Sequence, residues 1–252
     1  MEKITIKSPS GIFSGNCNNN VNTFYGIPYA KSCAENNRWH APKKLEPNHK
    51  HLKSIRGSSA YQTVVNKSFM FDPTLPDPSE DCLNLNIASP KDASNLPVMI
   101  WIHGGAFLTG SANGALYNME TLALKEVILV TINYRLGPLG FLKLDEVTNG
   151  LIPSTGNEGL LDQRLAIQWV KENIEAFGGN PENITIFGES AGAWSCALQV
   201  GMGIQGDFQK VICQSGGGEG LQGEGRLQGW DGGLRAGLHQ SLRHRRSRPA
   251  AI

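Results

Sequence analysis

The sequence predicts an α/β fold with a mostly parallel central sheet and an N-terminal antiparallel hairpin. Three observations carry that reading. Several stretches, among them residues 98–102, 127–134 and 184–187, are nearly continuous apolar runs, as strands buried on both faces should be. These runs alternate with helical stretches, and strand–helix alternation gives right-handed crossovers onto a parallel sheet. A Gly-x-Ser-x-Gly pentad, Gly188-Glu189-Ser190-Ala191-Gly192, lies between one such run and a helical segment.

The elements follow in order. Residues 3–7 alternate apolar with charged or polar side chains, and the turn cluster Ser8-Pro9-Ser10-Gly11 separates them from the apolar pair Ile12-Phe13, which predicts the hairpin. Residues 33–81 are polar and rich in Asn, Lys and Pro, a pattern for loop with short elements. Strands are expected at residues 83–88, 98–102, 127–134, 184–187 and 210–214. The clearest helix covers residues 160–177. Ala166, Val170, Ile174 and Phe177 recur at helical spacing, and Leu161, Leu165 and Trp169 widen the stripe. Asp162 near its start suits the helix dipole, and Gly178-Gly179 with Pro181 end it. Residues 193–200 read as a second helix. No internal repeat and no Gly-x-Gly-x-x-Gly dinucleotide motif is present.

Strand, tight turn with a central serine, then helix is the context of a nucleophile elbow. Ser190 would be strained and raised above the sheet edge. Gly188 and Gly192 would flank it because a Cβ there would press on neighbouring backbone. The plainer reading, a small-residue turn that merely links strand to helix, is opposed by a second motif. His103-Gly104-Gly105-Ala106-Phe107 follows the apolar run 98–102. Two adjacent glycines leave their N–H groups open to a substrate carbonyl. Attack by serine on an ester passes through a tetrahedral oxyanion that such donors stabilise. Gly104 and Gly105 would supply two donors, and Ala191, after the serine, the third. His103 precedes the loop and is read as a hydrogen-bonding support for its shape, not as a catalytic base.

At this point the chain resembles the type-B carboxylesterases, relatives of the cholinesterases and bacterial p-nitrobenzyl esterases. The stretches that match, in order, are Phe24-Tyr25-Gly26-Ile27-Pro28-Tyr29-Ala30, Arg38-Trp39 with Pro42, Ser79 to Asn86, His103 to Phe107, Asn133-Tyr134-Arg135, Gly156-Asn157 through Asp162-Gln163, Gly188 to Ala193, and Gln214-Ser215-Gly216. The match covers about residues 1–216. The resemblance implies an α/β-hydrolase fold, here incomplete, and hydrolysis of small-molecule carboxylic esters through an acyl-serine, with no cofactor. It implies that Glu189 supports the site internally and that Ser215 adds a supporting hydrogen bond. It also implies that residues 33–81 contribute to a gorge, where Trp39, Phe69, Met70 and Phe71 either line substrate space or cap the core. Trp194 is a departure, since relatives carry a small residue there.

By the same resemblance the triad acid and histidine lie well beyond the serine, in a half of the fold this chain lacks. Neither is expected here, although Glu219, Glu224, Asp231, His239 and His244 follow Ser190. Residues 1–215 are read as the N-terminal part of the hydrolase domain. From Gly216 onward the composition switches: ten glycines, six arginines, no lysine and no asparagine, against thirteen lysines, four arginines and twenty asparagines before it. Residues 216–252 show no helical or strand period and few large apolar side chains. They are expected to be disordered or an out-of-frame translation; the competing reading is a basic tail for an acidic partner. The functional alternatives are an inactive truncated esterase and a non-enzymatic, neuroligin-like adhesion module.

Before Gly216, seventeen Lys and Arg stand against nineteen Asp and Glu, a net of −2, so no basic face for nucleic acid is expected. No apolar run reaches the roughly 18 residues a membrane span needs. The alternating start lacks a signal peptide's apolar region, which predicts a cytoplasmic location. The cysteines are Cys17, Cys33, Cys82, Cys196 and Cys213, without a Cys-x-x-Cys pair or His/Cys cluster, so no metal is predicted. In secreted relatives the cysteine at position 82 pairs with one near Ala60; here it is expected to be a free thiol. Cys196 and Cys213 are expected to be small buried hydrophobes.

Overall fold

The computed structural model describes residues 2–62, 75–114, 117–202 and 206–217. Among these residues nine strands form one mixed sheet. The first three are an antiparallel meander: β1 (Glu2–Ser8), β2 (Gly11–Asn18) and β3 (Val21–Pro28). β4 (Asn48–Leu52) lies parallel beside β2. Then come β5 (Asn84–Pro90), β6 (Leu96–Ile102), β7 (Ile128–Ile132), β8 (Gly179–Glu189) and β9 (Lys210–Gln214). The order is β1-β2-β3-β5-β7-β6-β8-β9, and β7-β6-β8-β9 run parallel. The α/β-hydrolase architecture expected from the sequence is therefore present as a partial fold, parallel in the half that carries the candidate site.

The N-terminal hairpin is one strand larger than expected. β3 was hidden because Tyr25-Gly26 interrupts its pattern: the register with β5 shifts between Phe24 and Ile27, and Gly26 has φ +66°. A Cβ on Gly26 would overlap the carbonyl oxygen of Ile55, so only glycine lets the loop cross here. Residues 33–62 are mostly loop, as read, with a 3-10 turn at Glu35–Asn37. Trp39 docks on α2 (Gly137–Phe141), its indole N–H donating to the carbonyl of Pro138 at 3.0 Å. Phe69, Met70 and Phe71 lie outside the described residues.

The helices cover the parallel block. Besides α2 they are α1 (Met119–Ala123), α3 (Glu158–Asn173) and α4 (Ala191–Gly201). The predicted stripe of α3 is buried: Ala166, Val170, Ile174 and Phe177 join Ile100, Ile102, Ile184 and Ile186 in one core, with Ile174–Phe177 wound as a 3-10 turn. Gly178 closes it at φ +87°, and a Cβ there would overlap the Ala93 carbonyl. Among the described residues no helix is long and apolar enough to cross a membrane.

Two expectations are corrected. Asp162 does not serve the helix dipole. It is fully buried and holds Arg135 by both carboxylate oxygens, at 2.8 and 2.7 Å, and accepts the Arg135 backbone N–H at 3.0 Å. Arg135 also donates to the carbonyl of His40 at 2.8 Å, so the pair ties the end of β7 to α3 and to the loop after Trp39. Removing one partner strands a buried charge, so Asp162→Ala should cost about 3–5 kcal/mol. A urea midpoint shift equivalent to less than about 1 kcal/mol would show that the pair is dispensable. The second correction is Cys213, which is exposed because β9 is the outer strand of the described sheet; Cys17, Cys33, Cys82 and Cys196 are buried and all five are free thiols.

Candidate active site

The C-terminal end of β8 delivers Ser190 into a sharp turn before α4. Its backbone stands at φ 54°, ψ −121°, a conformation non-glycine residues rarely adopt. The surroundings hold it there. Its N–H donates to the carbonyl of Gln214 at 2.9 Å, and its own carbonyl accepts the N–H of Trp194 at 3.0 Å. The flanking glycines are sterically required. A Cβ on Gly188 would stand 2.5 Å from the Gly192 carbonyl carbon and 2.7 Å from the Ile102 oxygen; one on Gly192 would overlap the Ile102 oxygen outright. The turn is thus packed against the end of β6, where His103 begins the second motif.

That packing brings the two motifs together. A Cβ on Gly104 would lie 2.7 Å from the Glu189 carbonyl oxygen and 3.3 Å from the Cβ of Ser190. Gly105 has φ +108°, and its carbonyl closes a turn by accepting the N–H groups of Leu108 and Thr109 at 2.9 and 3.0 Å. The amides of Gly104 and Gly105 donate to no protein group among the described residues. The same holds for Ala106, which sequence reading passed over. Its φ of +56° marks a backbone held against its preference, visible only in three dimensions. Ala191 opens α4 and is buried beside Ser190.

His103 is wholly buried and does not reach Ser190. Its Nδ1 lies 2.8 Å from the Gly104 carbonyl, which can only accept, so the proton sits on Nδ1 and Nε2 is bare. Nε2 has no hydrogen-bond partner among the described residues. The ring stacks on Tyr134 at 4.4 Å and 18°. Burial pushes its pKa from the usual 6.5 down to about 4, against the opposing pull of the Gly104 hydrogen bond. Between pH 6.5 and 4 the unfolded chain therefore binds the proton better. The neutral ring's stabilisation is complete above about pH 6.5 and is lost as pH falls towards 4, some 3 kcal/mol in all. Chemical denaturation across that window should show a steeper acid loss in the parent than in His103→Asn; parallel profiles would contradict the burial argument.

The remaining described imidazoles are engaged elsewhere, His40 with the Arg38 carbonyl and His51 with Ser14. His239 and His244 lie outside the described residues, as do Glu219, Glu224 and Asp231. Glu189 is exposed, and neither its carboxylate nor the hydroxyl of Ser215 makes a hydrogen bond among the described residues. α4 itself is fixed from behind by a buried polar clamp. Gln163 Nε2 donates to Ser195 Oγ at 3.0 Å, Ser195 Oγ donates to the Ala191 carbonyl at 2.9 Å, and Gln199 Nε2 donates to the Leu160 carbonyl at 2.9 Å. Trp194, the departure noted above, is half-buried, its indole edge 3.0 Å from where a Cβ on Gly216 would stand. Among the described residues no group of three or more His, Cys, Asp or Glu could hold a metal ion.

The chain is 44% identical over 214 residues to the para-nitrobenzyl esterase of Bacillus subtilis (strain 168), covering 82% of this chain and 42% of that protein. It is 41% identical over 205 residues to acetylcholinesterase 4 of Caenorhabditis briggsae, covering 78% and 33%. Among solved structures, a thermophilic PNB esterase superposes with a TM-score of 0.78 at 42% identity, covering 84% and 44%. A Geobacillus stearothermophilus carboxylesterase gives 0.76 at 39%, covering 85% and 44%. The chain thus spans less than half the length of these relatives. The model of the carboxylesterase family matches residues 2–219, and the chain belongs to that family.

Proposed function

We propose that this chain carries the nucleophile and oxyanion site of a serine carboxylesterase acting on small-molecule carboxylic esters. The observation that bears most weight is the strained Ser190 packed beside Gly104 at the ends of β8 and β6. Ser190 Oγ attacks the ester carbonyl while a base removes its proton. The oxyanion rests on the amides of Gly104, Gly105 and Ala191, with Ala106 as a further donor. Loss of the alcohol leaves an acyl-Ser190, which water hydrolyses. No described imidazole bonds to Ser190, so the base and its orienting acid come from residues outside the described ones. This chemistry requires neither a metal nor an organic cofactor.

That same lack of a described imidazole partner favours a second reading, an inert relative of the esterases. A neuroligin-like adhesion role is disfavoured by the presence of Ser190 in a strained elbow, a conformation that costs about 1–3 kcal/mol to hold. Treatment with a fluorophosphonate decides between them. A catalyst should gain the phosphonyl group on the peptide bearing Ser190, located by mass spectrometry. An unlabelled Ser190 would overturn the reading that this chain is itself an esterase.

A further inference from the structure

We infer that Tyr134, together with His103, is a positioning residue of the oxyanion site: each ties down one carbonyl of the 103–105 loop and thereby aims the amide that follows it. The inference rests on the esterase reading above. Tyr134 lies two residues beyond β7 and is fully buried. Its hydroxyl donates to the carbonyl oxygen of His103 at 2.8 Å. His103 in turn donates from Nδ1 to the carbonyl oxygen of Gly104 at 2.8 Å. The next carbonyl, that of Gly105, accepts from Leu108 and Thr109. Three successive carbonyls are therefore clamped.

Every described peptide here is trans, and a trans peptide points its N–H opposite to its C=O. Fixing the carbonyls of His103, Gly104 and Gly105 fixes the N–H groups of Gly104, Gly105 and Ala106, each directed away from its clamp. All three of these amides donate to no described protein group, and neither does that of Phe107, whose preceding carbonyl carries no clamp. Space has been left for the clamps as well. A Cβ on Gly110 would overlap His103 Nδ1 and stand 2.6 Å from the Gly104 oxygen, and Gly110 is itself held by a reciprocal pair of hydrogen bonds to the Gln62 side chain, at 2.9 and 3.0 Å. The stacked rings of His103 and Tyr134 keep both donors in line. Burial raises the Tyr134 phenol, so it remains a protonated donor throughout the working pH range. Donors aimed in advance need no reorganisation when the oxyanion forms, which is where such a site gains its rate.

Tyr134→Phe deletes one donor and keeps the ring. On p-nitrophenyl acetate, with Ser190→Ala as background, it should lower kcat about ten- to a hundredfold while KM stays within about twofold. His103→Leu should behave likewise, and His103→Asn, which restores a donor, should recover most of the loss. A Tyr134→Phe protein whose kcat matches the parent, or whose loss lies only in KM or melting temperature, overturns the inference. If Ser190→Ala is as active as the parent, the esterase reading fails. The amide resonances of Gly104 and Gly105 then decide: displacement in Tyr134→Phe supports the clamp, and unmoved resonances overturn it.

Discussion

Ser190→Ala is expected to lower hydrolysis of p-nitrophenyl acetate by at least about 10³-fold relative to the parent. The size follows from what the substitution deletes. Without Oγ no acyl-enzyme can form, and only the oxyanion donors and substrate binding remain to assist water. Losing one such donor costs on the order of 10²–10³-fold, so losing the nucleophile must exceed it. The substitution leaves the turn's packing intact, because the contacts that hold Ser190 at φ 54° run through its backbone to Gln214 and Trp194. Alanine at a strained positive φ is tolerated about as poorly as serine, so folding should change little. Progress curves for both proteins, normalised to folded concentration by circular dichroism, provide the measurement. Equal rates would assign any observed hydrolysis to groups other than Ser190.

Gly192→Ala should destabilise the protein by at least about 3 kcal/mol and distort the elbow. Two effects compete at this position. Gly192 lies inside α4, where alanine is intrinsically better by about 1 kcal/mol. Against that, the new methyl would overlap the backbone oxygen of Ile102, the last residue of β6. A strand carbonyl in the middle of the core cannot step aside as a flexible side chain can, so the steric effect wins. Gly201, at the other end of the same helix, has nothing within 4 Å of its notional Cβ. Gly201→Ala should therefore be neutral or gain up to about 1 kcal/mol. Urea midpoints for the two variants should move in opposite directions. A stabilised Gly192→Ala would mean that α4 and β6 are not in contact at the elbow.

These two residues mark where local sequence is informative. The elbow was legible because its chemistry needs small residues at fixed offsets, Gly188 and Gly192 about Ser190, between an apolar run and a helix. The double glycine at Gly104-Gly105 was legible for the same reason. β6 and the core of α3 were legible because burial on one or both faces imposes a hydrophobic period. β3 was not, since Tyr25-Gly26 breaks its alternation at a bulge that only the crossing of the 55–57 loop explains. Asp162 looked like an ordinary first-turn acid, because nothing along the chain links it to Arg135, 27 positions earlier. Cys213 read as buried because an apolar strand does not announce which side of a sheet it will end.

The sequence by itself determined the family, the strands of the parallel block with their two longest helices, and the serine with its glycine neighbours. All of these depend on residue type at short spacing, where backbone sterics and hydrophobic period act directly. Only the tertiary structure decided that Gly104 abuts Ser190, that His103 is a buried, neutral donor, that Ala106 is strained and that Tyr134 clamps the loop. Those facts come from β6, β7 and β8 lying side by side in the parallel block, which brings residues tens of positions apart within hydrogen-bond reach. Hydrogen bonds and steric contacts act over a few ångströms of space, and no local pattern encodes which distant strand will supply the neighbour.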